Sequence, residues 1–256
     1  MIRLVCLPCV VLVALLAGCT TPHNTVTQFS TMDALLAGSY DGHMTCRAMA
    51  RNGDLGIGTF DRLDGEMVLL DGCIYQVRSD GKVYVPSSDA TTPFASVVNF
   101  HPTQLRAVPA GLNFQEFQTW MDTQLPGTNV VCAFRLTGRF QHIKTRSVPA
   151  QSKPYPPLMD VVRTSQSVFE LGKCSGTLVG FRLPDFVKGI NVPGYHVHFL
   201  TADRQAGGHV LDFTLEGGTV EFTLCSRIDL LLPDGGALQG IDFSRDRSKE
   251  FKKVEK

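Results

Sequence analysis

The sequence predicts a β-rich α+β fold, and three of its features support this prediction. Four short apolar runs between residues 56 and 85 are separated by Asp-Gly pairs, which are a strong hairpin signal. Two further apolar runs flank the turn-like segment 203–208 and carry three of the seven histidines. Helical periodicity is confined to a few short segments. We therefore expect sheets to form most of the core.

The first eighteen residues predict an export signal that is separate from the fold. Arg3 precedes an apolar stretch over residues 4–16, which is too short for a membrane-spanning helix. Leu16-Ala17-Gly18-Cys19 resembles a lipoprotein cleavage box, so we expect Cys19 to become the lipid-carrying N-terminus on the periplasmic side of a membrane. Thr20, rather than an aspartate, follows the cysteine, and this resemblance to Gram-negative lipoproteins implies the outer membrane. An ordinary secretory signal or a wrongly assigned start codon is the alternative.

Composition excludes one class of partner. Lys plus Arg equals Asp plus Glu at 24 each, so the chain lacks the basic excess that is typical of nucleic-acid binding. Removing residues 1–18 leaves 238 of the 256 residues, enough for one large domain or two modest ones. Cys6 and Cys9 form a C-x-x-C inside the signal and are set aside. The five cysteines after Cys19 show no zinc or redox spacing, and their disulfide pairing is open.

The elements before residue 150 are predicted from local signals. Residues 19–29 are polar and predict a tether. Ser30 followed by Asp33 predicts the start of a short helix that ends at Gly38. An antiparallel meander is predicted over residues 56–63, 66–70, 73–78 and 82–85. Beyond an irregular stretch, a helix is predicted over 113–125 and two strands around Gly138, over 130–136 and 139–144.

The proline-rich segment up to residue 157 predicts a crossover between two domains. The first domain then covers residues 30–157 and the second residues 158–256. In the second, a helix is predicted over 158–171, strands over 173–182 and 219–229, and a frayed charged tail over 242–256.

Three histidines form a candidate metal site. His196 and His198 are two residues apart in a predicted strand, so their side chains share one face. His209 begins the next apolar run, and a hairpin would bring it close to the other two. Three neutral imidazoles leave the fourth position of a tetrahedral cation open, as in catalytic zinc sites. The alternative is that these are ordinary core or surface histidines, because a His-x-His pair alone is a weak signal.

Several blocks resemble one known family. GINVPGYHVHFL followed by GGHVLDF resembles the signature of bacterial α-acetolactate decarboxylases. DALLAGSYDG, GDLGIGTFDRLDGEMVLLDGCIYQ, TPFA and TRSVPAQSKPYPPL resemble that family's other blocks, in the same order, from Asp33 to the C-terminus. The resemblance implies an N-terminal mixed sheet, a smaller C-terminal antiparallel, barrel-like sheet carrying the metal, and a homodimer.

Three further site residues follow from the resemblance. Glu66 lies in the LDGEM block, and period-two alternation places its side chain with Val68 and Leu70, although a solvated hairpin edge is equally compatible with the pattern. Arg146 lies in the TRSVP block, and its guanidinium suits a substrate carboxylate. Glu255 occupies the place of a C-terminal glutamate that folds back to the metal. The resemblance implies that all three belong to the active site.

The implied reaction converts α-acetolactate to (R)-acetoin and carbon dioxide. We expect His196, His198 and His209 to hold Zn²⁺, Arg146 to position the carboxylate, and Glu66 to deliver a proton with help from Glu255.

Two other classes of function stay open. In a cupin-like dioxygenase a glycine also precedes His-x-His, but no glutamate lies three or four residues after His198. In a non-catalytic periplasmic lipoprotein that binds metal or solute, Glu66 and Arg146 would be incidental.

Overall fold

The computed structural model describes residues 24–254, with only the backbone described for Lys249, Lys252 and Lys253. The strands in this part of the chain are β1 Thr25–Phe29, β2 Met44–Thr45, β3 Leu55–Thr59, β4 Glu66–Leu70, β5 Cys73–Val77, β6 Val83–Tyr84, β7 Thr91–Thr92, β8 Ala95–Val98, β9 Gln104–Val108, β10 Val131–Ser147, β11 Ser167–Leu171, β12 Cys174–Leu183, β13 Gly194–Thr201, β14 Gly207–Cys225 and β15 Arg227–Leu231. The helices are α1 Met32–Leu36, α2 Cys46–Met49, α3 Phe114–Asp122, α4 Leu158–Ser165 and α5 Ser248–Val254. Short 3-10 turns cover Asp61–Leu63, Asp185–Val187 and Gly235–Leu238.

The first sheet has seven strands in the order β15-β1-β8-β3-β4-β5-β6. It is mixed, because β15 runs parallel to β1 while the remaining neighbours are antiparallel. The predicted meander is confirmed in β3 to β6. Gly65, Gly72 and Gly81 have φ of +85°, +77° and +80° in its turns, a backbone region that favours glycine.

The second sheet has the order β11-β10-β12-β13-β14-β9 and is antiparallel throughout. β10 pairs with β14 as well as with β12. The four strands β10, β12, β13 and β14 therefore pair in a closed circuit that begins and ends at β10. This sheet carries all three histidines of the candidate site.

β10 is one strand of 17 residues, and the prediction of two strands around Gly138 is wrong. Gly138 lies opposite Gly176 on one side and Gly218 on the other. A Cβ at residue 138 would lie only 2.8 Å from the carbonyl oxygen of Gly217. The glycine therefore permits a close approach of backbones within the sheet and does not end the strand.

The tether predicted over residues 19–29 is wrong from Thr25 onward. Residues 25–29 form β1, which pairs with β15 on one side and β8 on the other. Thr25, Val26 and Thr27 are β-branched, and Val26 is buried. Burial between two neighbouring strands outweighs the polar composition that suggested a tether.

Two predicted elements near the C-terminus also differ from the structure. The helix predicted over 158–171 ends at Ser165, because residues 167–171 form β11 and pair with the end of β10. The charged tail predicted to be frayed over 242–256 contains α5, and Val254 at its end is buried.

The sheets do not divide at residue 157, where the sequence places the domain boundary. β9 and β10 precede this residue and belong to the second sheet, whereas β15 follows it and belongs to the first. The fold is β-rich with few helices, as predicted, and the division into two domains stays a prediction.

The two sheets pack against each other through an apolar cluster. Side chains from both contribute to it: Ile57, Val68, Leu70, Val179, Phe181 and Leu200. A second cluster lies beneath α3 and includes Phe117, Phe134 and Phe213. Each buried aromatic or aliphatic side chain contributes roughly 1.5–3 kcal/mol of transfer free energy. This packing brings β4, which carries Glu66, against β13, which carries two of the histidines.

No helix in residues 24–254 is both long and apolar enough to cross a membrane.

Candidate metal centre

Three histidines converge on one point of the second sheet. His196 and His198 alternate along β13, and His198 lies directly opposite His209 of β14. One ligand atom of each residue lies within 4.8 Å of the others. The three ring centroids are 5.1, 5.2 and 5.4 Å apart. All three rings are buried, so the cluster predicted from spacing is present in the fold.

The start of β14 depends on a glycine. Gly208 has φ of +130°, and a Cβ at this position would lie 2.5 Å from the carbonyl oxygen of Arg146. The neighbouring Thr145 donates a hydrogen bond from Oγ1 to the carbonyl oxygen of Gly207, at 2.8 Å. The close approach of the Gly208 backbone and this hydrogen bond hold the start of β14 against β10, next to His209.

The hydrogen bond of His198 leaves one ring nitrogen available to a metal. Nδ1 lies 2.7 Å from the carbonyl oxygen of Met67, which can only accept, so Nδ1 carries the proton. Nε2 is buried and has no hydrogen-bond partner among the described residues. In this tautomer Nε2 carries no proton, so its lone pair is available. A cation would satisfy this nitrogen, and such a backbone partner orients many metal-binding histidines. The donor set therefore fits a divalent metal.

Burial keeps the three imidazoles neutral. It lowers the pKa of His198 to about 4, although the Met67 carbonyl opposes the shift. Burial also lowers the pKa of His196 and of His209 well below the usual value, and the nearby charge of Arg146 adds to the effect. At neutral pH these residues can bind a metal without first losing a proton.

Glu66 lies beside the histidines with its carboxylate buried. Its Oε2 is 3.5 Å from Nε2 of His198, and the residue is 8% exposed. Burial raises the pKa of Glu66 to about 7, and the positive charge of Arg146 partly offsets this rise. The side chain is therefore buried, which is one of the two placements that the period-two pattern leaves open.

The turn before Glu66 is conformationally restricted. Arg62 and Leu63 have φ of 58° and 64°, which is uncommon for residues other than glycine. Gln76 Nε2 donates to the carbonyl oxygen of Asp64 at 2.6 Å and holds the turn from the neighbouring strand. The turn that leads into β4 therefore fixes the position of Glu66 at the start of this strand.

Arg146 completes the polar part of the site. It lies opposite His209 in the pairing of β10 with β14 and is 4% exposed. One guanidinium nitrogen donates to the carbonyl oxygen of Val254 at 2.7 Å. Its Nε is buried and has no hydrogen-bond partner among the described residues. An unpaired donor on a buried cation suits an anionic ligand.

One cavity brings these groups together with an apolar wall. Glu66, Arg146 and the three histidines line it, with Thr59 and Gly58. The wall is formed by Met32, Leu35, Leu63, Phe94, Val148, Leu158 and Val254. The lining therefore combines one buried cation with apolar surface, which are features that bind a small anionic molecule.

Some groups in the site carry no sequence signal. The carbonyls of Met67 and Val254 act through the backbone, which every residue possesses. Glu255, Cys19 and the export signal over residues 1–18 lie outside the described residues.

The fold and site together define a β-rich protein with a buried three-histidine cluster that could hold a metal beside a carboxylate and a guanidinium. The chain belongs to the alpha-acetolactate decarboxylase family, whose model matches residues 26–245.

Individual relatives agree with this assignment. A protein from Methanosarcina mazei named alpha-acetolactate decarboxylase is 46% identical over 229 residues, covering 90% of this chain and 79% of its own length. One of the same name from Methylococcus capsulatus is 45% identical over 230 residues, covering 90% of this chain and 88% of its own. The crystal structure of alpha-acetolactate decarboxylase from Bacillus subtilis superimposes with a TM-score of 0.87 at 36% identity, over 90% of this chain and 99% of that one. This chain is therefore an enzyme of a carboxy-lyase family.

Proposed function

We propose that this chain catalyses the decarboxylation of α-acetolactate to (R)-acetoin and carbon dioxide. Family membership supports the reaction, and the observation that carries it is the single cavity shared by Arg146, Glu66 and the three histidines. α-Acetolactate has a carboxylate, a hydroxyl, a ketone and two methyl groups. The cavity offers a cation for the carboxylate and an apolar wall for the methyl groups.

In this proposal His196, His198 and His209 hold Zn²⁺. Three neutral nitrogen donors within 4.8 Å of one another suit this ion. The bound dication would stabilise negative charge that develops on the substrate oxygens as carbon dioxide leaves. The Met67 carbonyl contributes by holding His198 in the tautomer whose Nε2 is available.

Arg146 binds and orients the substrate carboxylate. Its hydrogen bond to the Val254 carbonyl fixes the guanidinium, and the unpaired Nε provides a donor for the carboxylate. Holding the carboxylate in one orientation aligns the carbon–carbon bond that breaks with the adjacent ketone.

Glu66 supplies the proton that replaces carbon dioxide. Loss of carbon dioxide leaves an electron pair at the hydroxyl-bearing carbon, and that carbon takes up one proton to give acetoin. A carboxyl group whose pKa is raised to about 7 can hold this proton near neutral pH. Delivery from one rigid side chain to one face gives one enantiomer. Glu255 would assist, and the preceding residue, Val254, lines the cavity.

The finer architecture and location are further proposals. The closed circuit of β10, β12, β13 and β14 supports a barrel-like sheet around the metal. We also propose a lipid anchor at Cys19, attachment to the periplasmic face of the outer membrane, and a homodimer. Mass spectrometry of the mature N-terminus tests the anchor, and light scattering tests the dimer.

A histidine substitution tests the reaction and the metal together. We expect purified mature protein to contain one zinc per chain and to form (R)-acetoin from α-acetolactate. H198A should lose both the zinc and the activity, because it removes a metal ligand. H142A is the matched control, since His142 is on the surface near Glu170, and it should keep both. Full turnover by metal-free protein would reject the metal assignment, and absence of acetoin would reject the reaction.

A further inference from the structure

Ser147 links the two sheets through a buried hydrogen bond. Its side chain is fully buried, and Oγ donates to the carbonyl oxygen of Val77 at 2.8 Å. Ser147 ends β10 of the second sheet, and Val77 ends β5 of the first. The bond therefore crosses from one sheet to the other.

Both ends of this hydrogen bond adjoin residues of the site. Val77 is the direct partner of Glu66 in the pairing of β4 with β5. Ser147 follows Arg146 in the chain. The Ser147 hydroxyl thus connects the strand that pairs with Glu66 to the strand that carries Arg146.

A backbone hydrogen bond also joins the two sheets at this place. The Gly65 amide donates to the carbonyl oxygen of Val148 at 3.0 Å, and Thr59 Oγ1 donates to the carbonyl oxygen of Gly65 at 2.7 Å. Gly65 immediately precedes Glu66. The first of these bonds ties the hairpin that carries Glu66 to the residue after β10, and the second braces the hairpin internally.

The charge of Arg146 acts on Glu66, but the close contact and the hydrogen bond described for these two side chains are to other groups. Glu66 approaches His198, and Arg146 bonds to the Val254 carbonyl. Their separation therefore depends on how the first sheet is held against the second, which is where Ser147 acts.

We propose that Ser147 is a positioning residue that sets the spacing and orientation of Glu66 relative to Arg146 in the substrate-bound site. The proposal rests on the proposed decarboxylase function. Its consequence is specific: Ser147 governs the rate and the face of proton delivery without binding substrate or metal itself.

The S147A variant tests this role. Removing the hydroxyl lets the ends of β5 and β10 shift relative to each other, and a misplacement of about 1 Å can reduce turnover by up to roughly 100-fold. We expect kcat to fall roughly 10- to 100-fold with KM changed less, zinc content unchanged, and a reduced enantiomeric excess of (R)-acetoin. The last readout separates positioning from general destabilisation.

T223V is the matched control. Thr223 is also fully buried, and its Oγ1 accepts a hydrogen bond from Asn24 Nδ2 at 2.7 Å, near the other end of β14. T223V should lower the melting temperature while keeping the wild-type kcat and enantiomeric excess. If S147A is not recovered folded, S147C replaces it, because a thiol is a similar-sized but weaker donor.

The outcomes separate this inference from the proposed function. Wild-type protein that forms no acetoin would overturn the function. Wild-type protein that forms (R)-acetoin, together with an S147A variant whose kcat and enantiomeric excess match the wild type, would overturn the positioning role alone. Equal losses in S147A and T223V would also overturn it.

Discussion

Arg146 and His209 face each other as direct partners in the antiparallel pairing of β10 with β14. The guanidinium that would hold the carboxylate and one of the nitrogens that would hold the metal are therefore fixed by the same backbone ladder. Gly208 makes this possible, because it places the β14 backbone against the Arg146 carbonyl. In the proposed function, substrate binding and metal binding would thus both depend on this part of the β10–β14 pairing.

Substituting Gly208 tests this contact. In G208A the new Cβ would lie 2.5 Å from the Arg146 carbonyl oxygen, and φ of +130° would also be strained. We expect the variant to lose about 2 kcal/mol of unfolding free energy and to bind zinc more weakly, because His209 shifts. Denaturant unfolding and zinc titration measure both effects. G217A is the control, since Gly217 has φ of +154° on the same strand with nothing within 4 Å, and it should keep its zinc affinity.

Replacing Arg146 by lysine tests the need for a guanidinium. Lysine keeps the positive charge but lacks the planar set of donors that includes Nε. We expect kcat/KM of R146K to fall roughly 100-fold, because the loss of one charge-assisted hydrogen bond has an effect of about this size. The zinc content should not change. R139K, at an exposed position of the same strand, should behave as the wild type. A wild-type kcat/KM in R146K would mean that charge alone suffices.

Glu66 should make the stability of metal-free protein depend on pH. Its pKa is raised from 4.5 to about 7, so the folded protein keeps a proton that the unfolded chain has lost in this interval. The stabilising contribution is complete below pH 4.5 and is lost as the pH rises through about 7. Relative to E66Q, metal-free wild type should lose up to about 3 kcal/mol of unfolding free energy between these limits. A pH-independent difference between the two proteins would contradict the burial of an ionisable carboxyl here.

The lowered histidine pKa values predict the pH range of zinc binding. In E66Q, where residue 66 no longer titrates, the ligands are neutral until the pH approaches the His198 pKa of about 4. We expect zinc affinity in E66Q to be nearly constant between about pH 5.5 and 7.5 and to fall steeply below. Competition with a chromophoric chelator measures this affinity. A steady fall that starts near pH 6.5 would indicate histidines that are solvated.

Local patterns predict much of the site. Alternation along β13 and the turn before β14 predict that His196, His198 and His209 meet, as they do, whereas alternation in β4 leaves Glu66 equally compatible with burial and with a solvated hairpin edge. The cap of α3 is equally local, because the Asn113 and Glu116 side chains bond each other's backbone amides.

Long-range pairing explains what local patterns miss. β1 is a strand because β15 joins it from the far end of the chain, and no local signal indicates that partner. In the sequence alone, Gly138 suggests a break between two strands. In the fold it lies opposite glycines of both neighbouring strands, and β10 continues through it. The carbonyls that orient His198 and Arg146 are likewise set by tertiary packing.

Anomalous diffraction at the zinc absorption edge, from crystals of zinc-loaded, active protein, tests the central claim most directly. We predict one strong peak about 2.0–2.1 Å from a ring nitrogen of each of His196, His198 and His209, in the cavity that Glu66 and Arg146 line. A peak elsewhere, with these three rings free of metal in protein that still forms acetoin, would contradict it.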